Sequence, residues 1–537
     1  MFARHSRYGY GAQCPYGQIE QDNVMSNPLR IDLIRIVEAC EAGARETPKH
    51  WAQKFHLMPP CGWMNDPNGL HQFDGVFHAY YQYGPTDANG DGSKMWGHAV
   101  SSDLIAWEDC GVAFAPDESF DCHGVYSGSA LVHDGRVSLF YTGNVKRPNV
   151  DGSFDYINKG REANTVMVDT LDNLSFGPKR LLMTNVDYPS DVTCHVRDPK
   201  VWDAGVSCGH YLMVQGARRH VDVLGDYSRV DVSARGQLFR RVHGDGSCFD
   251  QGEVLVFASD DLVNWKLQNR VSSDECFGFM WECPDYFELT GQKLLSICPQ
   301  GLTGEGWSRR NLYQSGYFTV EGDICSDYSL DTFRLWDAGF DFYAPQTFEA
   351  EDGRRILIGW MGLPGDDSYG NDPTVAEGWQ HCMTVPRELT VGPDGVILQQ
   401  PARELTHHYS SVAVGEGALE VAGDTCFDVA VEDVDGVFAA TVNDELLLSF
   451  KPAEGELPAR FEMRFADEDR ASAGCGRTVR WEPVDEVRNV RIVGDVSSVE
   501  VFVNDGALVF STRMYPEAYG VSVDAPGAGV TYRTLSI

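Results

Sequence analysis

The chain predicts an all-β fold in two parts, a long region of repeated β-rich blades followed by a shorter β-rich region. Three observations carry this expectation. Between Lys54 and about Gln400, short runs rich in β-branched and aromatic residues (76–83, 137–141, 211–214, 294–297, 355–360) are separated by Gly, Asn and Asp turns. Within that region Asp103-Leu104-Ile105-Ala106-Trp107 recurs as Asp261-Leu262-Val263-Asn264-Trp265, and more weakly as Asp172-Asn173-Leu174-Ser175-Phe176. Recurring corners of this kind mark repeated blades. Finally, Val490-Arg491-Ile492-Val493 and Ser498-Val499-Glu500-Val501-Phe502-Val503 alternate, and the second run ends in Asn504-Asp505-Gly506. That hairpin signal suits a β-sandwich with one polar face.

In chain order, residues 1–24 are polar, rich in Gly and Tyr, without periodicity, and read as a loose tail; Met25 is an alternative start. Asn27 caps a helix expected to run from Pro28 to about Ala44, with Leu29, Leu33, Ile36, Val37, Cys40 and Ala44 as its apolar stripe. The divisions expected are an N-terminal extension over 1–50, a bladed body over 51–402 and a β-sandwich over 406–537. Gln399-Gln400-Pro401-Ala402-Arg403 marks the exit from the body. A chain of 537 residues exceeds one ordinary core.

Composition excludes several classes of partner. Lys and Arg number 43 against 79 Asp and Glu, a net charge of −36, which opposes binding to nucleic acid or an anionic membrane surface. No run approaches the roughly 20 apolar residues of a membrane span. The basic N-terminus lacks the apolar stretch of a signal peptide. The 15 cysteines are irregularly spaced, with no Cys-x-x-Cys pair, so reduced thiols in the cytoplasm are expected. Nothing in the sequence sets an oligomeric state.

The chemistry-bearing segments are Trp63-Met64-Asn65-Asp66-Pro67-Asn68-Gly69, Arg197-Asp198-Pro199-Lys200 and Glu282-Cys283-Pro284-Asp285. Each holds a carboxylate close to a proline. Pro67 fixes its own φ and pushes Asp66 into extended geometry, while Asn68-Gly69 suits a two-residue hairpin turn. Singly, each segment reads as an ordinary turn or interrupted strand edge. Together and in this order they resemble glycoside hydrolase family 32, the β-fructofuranosidases, invertases and fructan hydrolases. The resemblance runs from about Lys54 to the C-terminus, although Val496 stands where a basic residue is usual.

The resemblance implies a five-bladed β-propeller carrying the catalytic site, followed by a C-terminal β-sandwich. It implies Asp66 as nucleophile, Glu282 as acid/base and Asp198 as transition-state stabiliser. Such a pair, about 5–5.5 Å apart, breaks a fructosidic bond with retention through a covalent intermediate. Phe279-Met280-Trp281 before Glu282 would desolvate its carboxyl, and Arg197 would hold Asp198 ionised. Trp63, Asn65, Gln82, Trp96, Tyr126, Ser127, Arg197 and Trp360 match sugar-contact positions. Tyr81-Gln82-Tyr83-Gly84-Pro85 departs from the family at Gly84, where Asn is usual, and Tyr126 stands where Phe is commoner. The tryptophans and His98 also fit a plain core role. Asp121-Cys122-His123 and Cys194-His195 lack zinc-site spacing, so no metal is expected, and the reaction needs no cofactor.

The expected function is therefore a cytoplasmic retaining β-fructofuranosidase acting on sucrose and short fructo-oligosaccharides. Sucrose-6-phosphate hydrolase is the alternative, with Arg309 and Arg310, or Arg218, Arg219 and His220, as candidate phosphate ligands. Transfer to another sugar and a non-catalytic fructan-binding role stand behind these; the second is disfavoured because all three carboxylates are present.

Overall fold

Among the described residues, five largely antiparallel sheets and a ten-stranded C-terminal ladder make up the fold. The computed structural model describes residues 28–205, 209–222, 248–273, 277–302, 309–363, 370–466 and 478–537. The expected tail, Met25 and the Asn27 cap lie outside these residues. The five sheets are the blades of a propeller. Their first strands are Gly62–Phe73, Val125–His133, Val192–Asp203, Met280–Leu289 and Tyr343–Glu349. Each contacts the next, and the last returns to the first, so these strands line the axis. Trp379–Gln380, from the last blade's segment, pairs in parallel with Gly62 and Trp63 and closes the ring.

The repeated Asp-Leu-x-x-aromatic segments are the turns between third and fourth strands of the first three blades. In each, one aspartate oxygen caps two backbone N–H groups: Asp103 those of Ile105 and Ala106, Asp172 those of Leu174 and Ser175, Asp261 those of Val263 and Asn264. The residue after each aspartate adopts positive φ, 66° at Leu104, 58° at Asn173 and 63° at Leu262. Asn68-Gly69, by contrast, is no hairpin turn. It is an irregularity inside the first strand, and Asp74-Gly75 makes the turn instead. A Cβ on Gly69 would lie 2.9 Å from the Tyr80 ring and 3.1 Å from Trp96, so its glycine serves close packing within the blade.

Helix Pro28–Arg45 docks on the propeller through Leu33, Val37, Cys40 and Ala44, while Leu29 and Ile36 of the expected stripe face solvent. In the C-terminal domain, strand Gly520–Leu535 pairs with Ala439–Val442 along one half and with Phe427–Glu432 along the other. The two halves of the ladder close on one core containing Val429, Ile492, Val501, Leu448 and Phe461. The Asn504-Asp505-Gly506 hairpin forms as expected, linking Ser498–Val503 to Leu508–Arg513.

A fully buried ionic network joins this domain to the propeller. Arg387 donates to Glu500, Asp337, Gln399 and Ser511, and His56 lies between Asp495 and Glu500 at 2.9 and 3.0 Å. Burial by itself would lower the His56 pKa, but its hydrogen bonds to the two carboxylates outweigh this and push it up to about 9. Nine described cysteines are free, and Cys325 is disulfide-bonded.

Candidate active site

All five axial strands bulge near one end, and the residues at or beside the bulges make the site. The ladder register slips between Asn65 and Pro67, between Tyr126 and Gly128, between Glu282 and Asp285, and between Tyr343 and Gln346. In the third blade, the strand opposite Asp198-Pro199 slips between Val214 and Gly216. Proline has no N–H for the ladder, and four bulges contain one: Pro67, Pro199, Pro284 and Pro345. Asp198, Cys283 and Ala344, each just before its proline, adopt positive φ of 63°, 46° and 48°. Such geometry in non-glycine residues costs energy and here turns side chains toward the axis.

Asp66 accepts hydrogen bonds from Ser127 Oγ at 2.6 Å and from Asn65 Nδ2 at 3.0 Å. Asp198 accepts the Cys283 backbone N–H at 2.9 Å, and its own N–H donates to Thr142 Oγ1 at 3.0 Å. The Cys283 thiol lies 3.7 Å from both Asp66 Oδ2 and Asp198 Oδ2, placing the two aspartates on either side of it. Glu282 Oε1 accepts Arg197 Nε at 3.0 Å and Nη2 at 2.5 Å; its Oε2 accepts Tyr343 OH at 2.7 Å and Gln300 Nε2. The three carboxylates thus share one chamber with one guanidinium.

That pairing inverts an expectation. Arg197 forks onto Glu282 and stands 3.9 Å from Asp198. Burial raises the Asp198 pKa first; Arg197 opposes, Glu282 and Asp66 add to the rise, and the carboxyl reaches about 7. Asp66 is also raised, by burial and then against the hydrogen bonds of Ser127 and Asn65. Side-chain bonds run along the backbone's reach, and the fork from Arg197 points across the blade boundary instead of to its sequence neighbour.

Comparison with known proteins agrees with this geometry. The profile described as "Glycosyl hydrolases family 32 N-terminal domain" matches residues 56–234 and 229–401, and "Glycosyl hydrolases family 32 C terminal" matches 438–537. The chain belongs to glycoside hydrolase family 32. It is 34% identical over 516 residues to a sucrose-6-phosphate hydrolase of Bacillus subtilis (strain 168), covering 93% of this chain and 96% of that protein. A raffinose invertase of Escherichia coli is 34% identical over 490 residues, covering 87% and 90%. The structure of a Bombyx mori family 32 β-fructofuranosidase superposes with a TM-score of 0.73 at 27% identity, covering 94% of this chain and 98% of that one. A sucrose-6-phosphate hydrolase from Lactobacillus gasseri shares the fold with a TM-score of 0.77 at 24% identity, over 94% and 96%.

Of the expected sugar-contact positions in this family 32 chain, Asn65, Ser127 and Arg197 touch the carboxylates directly. Trp63 donates from Nε1 to Asn65 Oδ1 at 2.7 Å and lies 6.0 Å from the Trp360 ring, and both tryptophans are buried. Tyr126 is partly exposed beside Ser127. Gln82 is buried and donates to the Val125 carbonyl at 3.1 Å. Trp96 has no exposed surface; it sits among Tyr80, Phe114 and Tyr141, and its indole N–H holds the Tyr126 carbonyl at 3.0 Å. Trp96 and Gln82 therefore act on the site through the strand they hold. His98 is a core residue stacked on Tyr80 at 4.2 Å.

Sequence reasoning missed Tyr343, Gln300 and Thr142, and weighed His195 only as a metal ligand. Tyr343-Ala344-Pro345 repeats the residue-before-proline pattern of the other bulges, and that signal was available. Gln300 and Thr142 are on second strands and carry no local signature. His195 Nδ1 lies 2.8 Å from Arg197 Nη1 and Nε2 lies 3.0 Å from the Tyr156 carbonyl, so it orients the guanidinium as a neutral ring with Nε2 protonated. Among the described residues no group of three His, Cys, Asp or Glu side chains is placed to hold a metal ion. No helix among them is long and apolar enough to cross a membrane.

Proposed function

We propose that this glycoside hydrolase is a retaining β-fructofuranosidase in which Asp66 is the nucleophile, Glu282 the acid/base and Asp198 the stabiliser of the fructosyl cation. The observation that carries the reading is the convergence of these three carboxylates, from three blades, around Cys283 and Arg197. Asp66 attacks the anomeric carbon while Glu282 passes a proton to the leaving oxygen; Glu282 then takes a proton from water as it attacks the fructosyl–Asp66 ester. The bound sugar stands against Trp63 and Trp360, with Asn65 and Asp198 on its hydroxyls. Ser127 and Asn65 hold Asp66 in its attacking orientation, and Arg197, Gln300 and Tyr343 fix both oxygens of Glu282.

Sucrose and short fructo-oligosaccharides are the substrates proposed, hydrolysed in the cytoplasm by a chain divided into 1–50, 51–402 and a β-sandwich over 406–537. A second reading, sucrose 6-phosphate as substrate, is supported by the name of the Bacillus subtilis relative. The test is fructose release from sucrose and from sucrose 6-phosphate by the wild type and Asp66→Ala. Loss of activity on both, by at least about 10³-fold in kcat, is expected of the variant. An Asp66→Ala protein that keeps most of its activity refutes the mechanism.

A further inference from the structure

We infer that Arg161 binds the phosphate of a phosphorylated leaving group and sets the substrate preference of this site. The inference rests on the proposed fructosidase chemistry and names the charge its leaving-group side is built for.

Arg197 stands 2.8 Å from Nδ1 of the buried His195, and Arg161 and Arg218 add to the positive field on that ring. Arg197 is matched by Glu282 and Arg218 by Asp250, the latter through two nitrogens. The other basic residues expected as phosphate ligands are also occupied: Arg219 faces Glu253 and Gln251, and His220 bonds Asp250 and Asn158. Arg309 lies over the Phe277 ring at 5.4 Å with its charge acting on the half-buried Glu482, and Arg310 is exposed and likewise engaged.

Arg161 differs. It is 5% exposed, no carboxylate pairs with it among the described residues, and its Nε is buried without an acceptor. It is held between aromatic faces, 5.5 Å from the Tyr126 ring and 4.8 Å from Tyr156. Among the described residues its side-chain partners are the two aromatic faces and the Tyr126 side chain, none of them a carboxylate, and a buried cation so held carries a desolvation cost. A bound anion removes that cost.

Its position fits the leaving group. Tyr126 adjoins Ser127, which holds Asp66, and the Tyr156 carbonyl accepts from His195, which orients Arg197 on Glu282. Arg161 thus lies between the neighbours of the nucleophile and those of the acid/base. Tyr156 is 50% exposed on the connection between strands Arg136–Lys146 and Arg161–Thr170, so the guanidinium is screened from solvent by a ring that is itself exposed. The planar fork takes two phosphate oxygens.

The test compares wild type, Arg161→Gln and Arg161→Lys in kcat/KM on sucrose 6-phosphate and on sucrose, and in inhibition by glucose 6-phosphate against glucose. The wild type is expected to prefer the phosphorylated substrate. In Arg161→Gln the ratio of the two kcat/KM values falls by about 10–100-fold, with a parallel weakening of glucose 6-phosphate inhibition. Arg161→Lys keeps the charge but loses the fork and falls between. If Arg161→Gln does not fold, Arg161→Lys carries the test through the same ratio. An unchanged ratio in either folded variant overturns the assignment, as does a wild type without preference for the phosphate; both leave the fructosidase reading intact. A wild type that cleaves neither substrate overturns that reading itself.

Discussion

Ser127→Ala removes the hydrogen bond that most opposes protonation of the proposed nucleophile. Burial is the largest influence on Asp66 and raises its pKa; the Ser127 hydroxyl, at 2.6 Å, is the first opposing influence, followed by Asn65. A hydrogen bond to a charged group is worth roughly 1.5–3 kcal/mol, and one pKa unit corresponds to about 1.4 kcal/mol. Removing the donor therefore raises the Asp66 pKa further. Because Asp66 must be ionised to attack, the acid limb of kcat/KM moves to higher pH, and the loss of rate is greatest at low pH. The assay is kcat/KM for the preferred substrate from pH 4 to 8, with circular dichroism to confirm folding. Asn65→Ala, lacking the weaker 3.0 Å bond, shifts the same limb by less. A folded Ser127→Ala enzyme with an unmoved acid limb refutes the reasoning.

Three further outcomes follow from other features. A Cβ on Gly216 would stand 1.9 Å from the Trp281 carbonyl, next to Glu282, so Gly216→Ala should reduce kcat by about 10²-fold while leaving the C-terminal domain folded; near-wild-type kcat contradicts the placement. His56, with a folded pKa of about 9 against about 6.5 unfolded, contributes stability fully present below pH 6.5 and lost as pH rises through 9; thermal midpoints should fall between pH 8 and 10 in the wild type and stay flatter in His56→Gln. His71 and His98 have pKa values lowered to about 4 and about 3 by burial, so the unfolded chain binds protons first as pH drops below 6.5; denaturant midpoints should decline from pH 6.5 to 4, and a constant midpoint would refute this.

The sequence by itself determined the elements whose signals are local. Aspartate caps announced the third-to-fourth-strand turns because the capped N–H groups lie two and three residues away. The three proposed carboxylates stand out in the sequence because each lies one or two residues before a proline that the ladder cannot accommodate, and a bulge is a local event. Asn68-Gly69 misled for the same reason: its turn propensity is local, but packing against Tyr80 and Trp96 overrode it and moved the turn to Asp74-Gly75. Only the tertiary structure decided which charge faces which. Arg197 adjoins Asp198 in the chain but pairs with Glu282, 85 residues away, because the two occupy neighbouring blades whose strands lie side by side. Gln300, Tyr343 and His195 join the site by the same closure of the ring, which leaves Arg161 without a carboxylate among the described residues. Spacing along a strand is fixed by covalent geometry, whereas contact between blades exists only after the propeller has closed.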